Sequence, residues 1–135
     1  MRVLLVACGD AKLDRPAPAA ELYTGSLTRA AIRYAMATGH PWYIVSACHG
    51  LVDPATVLAP YNVSIADLDR EYRPIWGRQV VGKLTDRHPD CDVVEAHLGE
   101  SYLRALRPWL TATVEEPLRG LGIGRRLQWY AGRRS

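Results

Sequence analysis

The sequence contains no apolar run approaching the roughly 18 residues that a membrane-spanning helix needs. Lysine is scarce: Lys12 and Lys83 stand alone in a chain that otherwise uses arginine. Cysteine is limited to Cys8, Cys48 and Cys91, and no C-x-x-C pair occurs. An odd count of thiols beside apolar runs argues for reduced, buried cysteines, against a disulfide framework and against a zinc or other metal site. G-x-x-x-x-G-K-[ST] and G-x-S-x-G are both missing, which removes a P-loop and a nucleophile elbow. Helix-turn-helix, RRM and zinc-finger signatures are also missing, as are internal repeats and linkers. After the short apolar start at 3–8 no A-x-A-like cleavage site follows, and Gly9-Asp10-Ala11-Lys12 breaks the run. The start is therefore expected to be a buried strand of a cytoplasmic protein and not a signal peptide.

What is present is one domain's worth of ordinary globular composition. The chain has 135 residues, of which 48% are hydrophobic and 23% charged. That excludes disorder, collagen-like repeats and solenoids, and predicts a single domain over 1–135. Seventeen basic residues against fourteen acidic ones give a net charge of +3. A charge of that size does not by itself demand a nucleic acid partner.

Residues 2–8 and 42–48 are continuous apolar runs of the kind found in strands covered on both faces. Residues 92–98 make a third strand, and 111–114 a short fourth. Helices are expected over 25–38, capped by Ser26 or Thr24 and ended by Gly39, over 69–87, and over 101–106, with a last one entered through the glycines at 120–124. In the second helix Ile75, Trp76, Val80 and Leu84 are expected along one side, with Pro74 in the first turn. Residues 9–24 read as a long loop and 49–54 as a turn. Alternating strands and helices predict an α/β fold: one three-layer domain, a mostly parallel sheet of about four strands, helices on both faces. Sites in such sheets lie beyond the carboxyl ends of the strands. That rule selects three segments, at 8–12, 46–50 and 95–102.

Glu95 and His97 alternate onto one face of the third strand. Two ionisable groups near the end of a buried strand are costly unless paired or used. They suit acid–base or nucleophilic work, although two ligands are too few for a metal. The structural alternative is a solvent-facing Glu95 with His97 bonded to a backbone carbonyl. At the first strand end, Gly9 lets the backbone approach a ligand, and Lys12 offers a compact ammonium; a solvated loop lysine is the alternative. At the second, Ser46 and His49 flank a turn that suits substrate contact, with His49 as donor or acid. Near the C-terminus, Gly120, Gly122 and Gly124 lead into a helix carrying Arg125 and Arg126, which suits an anion; a glycine turn packing under a surface helix is the alternative.

Taken in order, these segments resemble a bacterial and phage family known as DUF6884. The matching elements are Cys8-Gly9…Lys12, Leu22-Tyr23-Thr24-Gly25, Trp42-Tyr43-Ile44-Val45-Ser46-Ala47, His49-Gly50-Leu51-Val52-Asp53-Pro54, Pro60-Tyr61, Glu95…His97…Gly99…Tyr102, and Pro117-Leu118…Gly120-Leu121-Gly122-Ile123-Gly124. The family is more distantly similar to the peroxide-stress YaaA proteins and to domains associated with deazaguanine modification of tRNA or DNA. That resemblance implies nucleobase or nucleic acid chemistry. Asp10, Ala11 and Cys48 stand where the family usually carries lysine. If those lysines hold phosphate, this chain is expected to take a less charged substrate or to bind nucleic acid poorly.

Residue chemistry and resemblance together predict an enzyme acting on a nucleoside, nucleotide or nucleobase, at the N-glycosidic bond or in base exchange. An oxocarbenium-like sugar needs a nearby carboxylate, and the leaving base needs a proton. Glu95 is expected as nucleophile or electrostatic stabiliser, and His97 or His49 as acid. Lys12 and Arg125 are expected to hold a phosphate. Tyr61 or Tyr102 is expected to stack on or bond to the base, with Gly9, Ser46 and Gly99 lining the site. No cofactor is implied, and no membrane partner. The rival is a non-catalytic nucleic-acid-binding module, and a homo-oligomer is left open.

Overall fold

The first apolar run forms β1 (Arg2–Ala7), whose side chains Val3 to Val6 are all buried. In the computed structural model, which describes residues 1–133, β1 is the central strand of a five-stranded sheet. A short strand β2 (Ala17–Pro18) and a single turn α1 (Ala19–Leu22) follow, then α2 (Ser26–Thr38) and β3 (Trp42–Ser46). A tight turn leads to β4 (Gly50–Val52), and β5 (Val57–Leu58) pairs with β2 in a separate two-stranded sheet. The chain continues through α3 (Tyr72–Arg87), β6 (Val93–His97), α4 (Glu100–Leu106), β7 (Thr113–Glu115) and α5 (Ile123–Ala131). The main sheet runs β4-β3-β1-β6-β7, parallel throughout except for β4.

This is a mixed α/β fold, as the sequence predicts, with differences that have physical causes. The sheet has five strands and not about four, because Gly50–Val52 is a strand where a plain turn is expected. Ser46 Oγ accepts the amides of Cys48 and His49 at 3.2 and 3.1 Å, and the chain turns back to pair antiparallel with β3. The segment 9–24 is not a bare loop. Backbone bonds from Ala19 to Thr56 and from Ala20 to Pro54 hold it against the β4–β5 connection. No side chain caps α2; Gly25 occupies the cap position instead of Ser26 or Thr24.

Alternation along β1 builds two cores. Val3 and Leu5 pack with Val45, Val94 and Ala96 under Trp76, Val80 and Leu84 of α3 and Leu103 and Leu106 of α4. Leu4 and Val6 pack with Ile44 under Ile32 and Ala35 of α2 and Tyr130 of α5. Each such aliphatic side chain contributes about 1.5–3 kcal/mol by leaving water. Pro74 lies in the first turn of α3, but Ile75 is 53% exposed, so it is not part of the buried stripe. Gly77 faces α4 instead: a Cβ there would sit 2.0 Å from the carbonyl oxygen of Ala105. Among the described residues no helix is long and apolar enough to cross a membrane.

Candidate functional site

Glu95 and His97 do project from one face of β6, toward α2 and α5. Both are buried, at 7% and 5% exposure, which rules out the solvent-facing carboxylate. His97 Nε2 lies 2.7 Å from Glu95 Oε2, and its Nδ1 lies 2.7 Å from the Tyr130 hydroxyl. Tyr34 donates to the same Glu95 oxygen at 2.8 Å, and Arg2 donates to Oε1 at 2.9 Å. Arg2 also reaches Glu115, the register partner of Glu95 on β7. A line of polar groups therefore runs along the sheet, from Arg2 near its amino edge through Glu95 and His97 to Tyr130.

The electrostatics fix the direction of these bonds. Burial pushes the Glu95 carboxyl up, but hydrogen bonds from His97 and Tyr34 and the charge of Arg2 outweigh it. The net result lies below the usual carboxylate range, so Glu95 is an acceptor only. Nε2–H of His97 then donates to Glu95. Burial raises the Tyr130 hydroxyl above its ordinary value, so it stays protonated and can donate to Nδ1. Burial, with the bond to Glu95, pushes Tyr34 up to about 12. Tyr34, Trp129 and Tyr130 surround the imidazole with ring centroids at 5.1, 5.9 and 5.6 Å.

A cavity of about 280 Å³ opens at the carboxyl ends of β1 and β6. His97, Tyr130, Cys8, Tyr102, Gly99 and Arg126 are among the residues that line it. Glu95 does not; both its oxygens are engaged behind His97. The Tyr102 hydroxyl lies 3.4 Å from Cys8 Sγ, and burial pushes it well above its ordinary pKa. Gly9 sits against α2, where a Cβ would come within 2.5 Å of Thr28 Oγ1, another wall of the cavity.

A second group forms where the 9–24 segment meets the β3 end. The Lys12 ammonium lies over the Tyr61 ring at 4.4 Å and the Tyr23 ring at 5.8 Å. The Tyr23 and Tyr61 hydroxyls are hydrogen-bonded, and burial raises both above the ordinary phenol. The exposed His49 ring meets Tyr61 edge-on at 4.9 Å. Ser46 is fully buried, its hydroxyl closing the turn and its carbonyl accepting the Trp76 indole N–H at 3.2 Å.

The structure thus brings His97, Gly99 and Tyr102 to one cavity, with Glu95 behind it, and gathers Lys12, Ser46, His49 and Tyr61 elsewhere. Arg125 is exposed and lines neither group; its neighbour Arg126 reaches the cavity wall, with Nε held by the Leu121 carbonyl at 2.8 Å. Sequence reasoning missed Arg2, Tyr34 and Tyr130; it named Arg126 beside Arg125 for an anion and assigned the phosphate to Arg125. The only local signal was the place of Tyr34 on the apolar side of its helix. Among the described residues no group of three or more His, Cys, Asp or Glu is placed to hold a metal ion.

The model of the DUF6884 family, a family of unknown function, matches residues 3–132, and the chain belongs to that family. No curated protein and no solved structure matches it.

Proposed function

We propose that this DUF6884 member is an enzyme acting on a nucleoside, nucleotide or nucleobase, at the N-glycosidic bond or in base exchange. The observation that carries the proposal is the Glu95–His97–Tyr130 chain, which begins at a buried carboxylate and ends on a cavity wall at the strand ends. A buried carboxylate behind an imidazole fixes its tautomer and stabilises positive charge on it. In this reading His97, backed by Glu95, takes a proton through Tyr130 from the attacking water or incoming base, and the imidazolium so formed returns that proton through Tyr130 to the departing base. Glu95 positions His97 and supplies negative charge near a sugar cation. Its oxygens are occupied, so it serves as stabiliser and not as nucleophile. Tyr102 and Gly99 contact the base or sugar, and Arg126 holds an anionic group where Arg125 is expected from the sequence. His49, Lys12 and Tyr61 form a separate group at the β3 end, held from beneath by buried Ser46, with His49 the second candidate acid.

The cavity volume suits a base or a sugar and leaves little room for a larger ligand. Incubation of the protein with nucleobases, nucleosides, nucleotides and oligonucleotides, followed by chromatography of free base, tests the proposal. Release or exchange of a base supports it, and none across the panel refutes it. A second reading, a nucleic-acid-binding module without catalysis, is favoured by one observation: neither α2 nor α5 contains an acidic residue. Strand binding without base release would select it.

A further inference from the structure

The net charge of +3 conceals a strong asymmetry. Residues 22–52 and 117–135 contain no Asp or Glu at all, yet hold seven arginines. These two stretches supply α2 and α5, which pack against each other. Between them lies a groove of about 730 Å³, lined by Arg29, Arg33, Arg133, Tyr34 and Tyr130 among others, with no carboxylate in its walls. Among the described residues none of these three arginines is within ion-pair distance of an acid. Arg33 is exposed, and Arg133 stacks 3.8 Å above the Trp129 ring. Arg29 and Arg33 lie one helical turn apart, about 6 Å along α2.

A second hollow is lined by Arg70, Arg73 and Arg104. Asp69 and Glu71 flank Arg70 in the chain, and Glu100 lies 4.0 Å from Arg104. One of its three arginines is thus within ion-pair distance of an acid, whereas among the described residues none in the α2–α5 groove is. The groove is also wired to the candidate site. Tyr34 in its wall donates to Glu95, and Tyr130 borders both groove and cavity.

We infer that the α2–α5 groove holds the phosphate backbone of a single-stranded nucleic acid whose base enters the cavity beside Tyr130. For the destination of that base, the inference rests on the function proposed above. The groove is larger than one phosphate requires.

Fluorescence anisotropy with a short labelled oligothymidylate tests the inference. Three neutralised phosphates give a log affinity against log salt slope of about −2. Arg33→Gln and Arg133→Gln should each reduce that slope by about 0.7 and weaken binding several-fold. Arg70→Gln should change neither. Absent or salt-independent binding overturns the inference, as does equal loss in Arg70→Gln. Displacement by thymidine monophosphate as effective as by unlabelled strand also overturns it, assigning the groove to free nucleotides. Base release without strand binding sinks only this inference; strand binding without base release sinks only the enzymatic proposal.

Discussion

Replacing Glu95 by Gln keeps the shape of the side chain and removes its charge. Gln can still accept from one of Arg2, Tyr34 and His97, but it turns an NH2 group toward another donor. Losing one member of a buried pair costs about 3–5 kcal/mol when its partner is stranded. Arg2 is not stranded: it keeps Glu115 at 2.6 Å and its side chain is 29% exposed. The expected cost at pH 7 is therefore lower, about 1–3 kcal/mol, dominated by the unpaired donor facing His97 or Arg2. The pH dependence follows from the sign of the shift. The folded carboxyl lies below its ordinary value, so its stabilisation is complete above the unfolded pKa of about 4.3 and fades as pH falls through the lower, folded value. Urea denaturation at pH 7 and in steps below pH 4.5 reads both effects. The stability gap between the two proteins should shrink at acid pH. A gap that is absent at pH 7, or constant down to low pH, would refute the ion-pair account. Turnover of Glu95→Gln should fall by about 100-fold, through mispositioning of His97 and lost charge.

Tyr130→Phe removes the donor to His97 Nδ1 and should cost about 1–3 kcal/mol in urea denaturation, because a buried nitrogen loses its partner. Gly77→Ala drives a methyl into the Ala105 carbonyl and should lower stability by about 1–3 kcal/mol in a thermal melt. Trp76→Ala should cost about 3–5 kcal/mol, and Trp42→Ala clearly less, since Trp76 is 3% exposed while Trp42 is half-buried. Alkylation of the native protein should label exposed Cys48 before Cys8 and Cys91, and mass measurement after denaturation should find all three thiols labelled.

The strands buried on both faces were legible because their apolar runs leave no other placement. β1, β3 and β6 lie within a residue or two of where the runs put them. β4 was not legible: three residues followed by Asp53-Pro54 look like a turn, and their pairing depends on the Ser46 hydroxyl closing the reversal. Nor was the organisation of residues 9–24, which is held by backbone bonds to a segment more than thirty residues away. Ile75 illustrates the weakness of a helical stripe counted from one side chain. The helix turns Gly77 toward α4 for close approach, and Ile75 is left outside.

The site divides along the same line. The shared face of Glu95 and His97 follows from the period of a strand, and both were found. Their partners Tyr130, Tyr34 and Arg2 stand 33, 61 and 93 residues away, and only the fold makes them neighbours. Arg125 and Arg126 are adjacent in sequence but lie on different sides of a helix turn, so composition alone could not choose between them. The same distance hid the basic groove: two acid-free stretches far apart in the chain become one surface only when α2 meets α5.

The most direct test of the central claim compares base release by the wild-type protein and His97→Gln on the best substrate of the panel, with melting temperatures taken in parallel. The account predicts measurable release by the wild type and a loss of about 100-fold or more in a variant that remains folded. Release that persists at the wild-type rate in folded His97→Gln would contradict it and move the chemistry away from the Glu95–His97–Tyr130 chain.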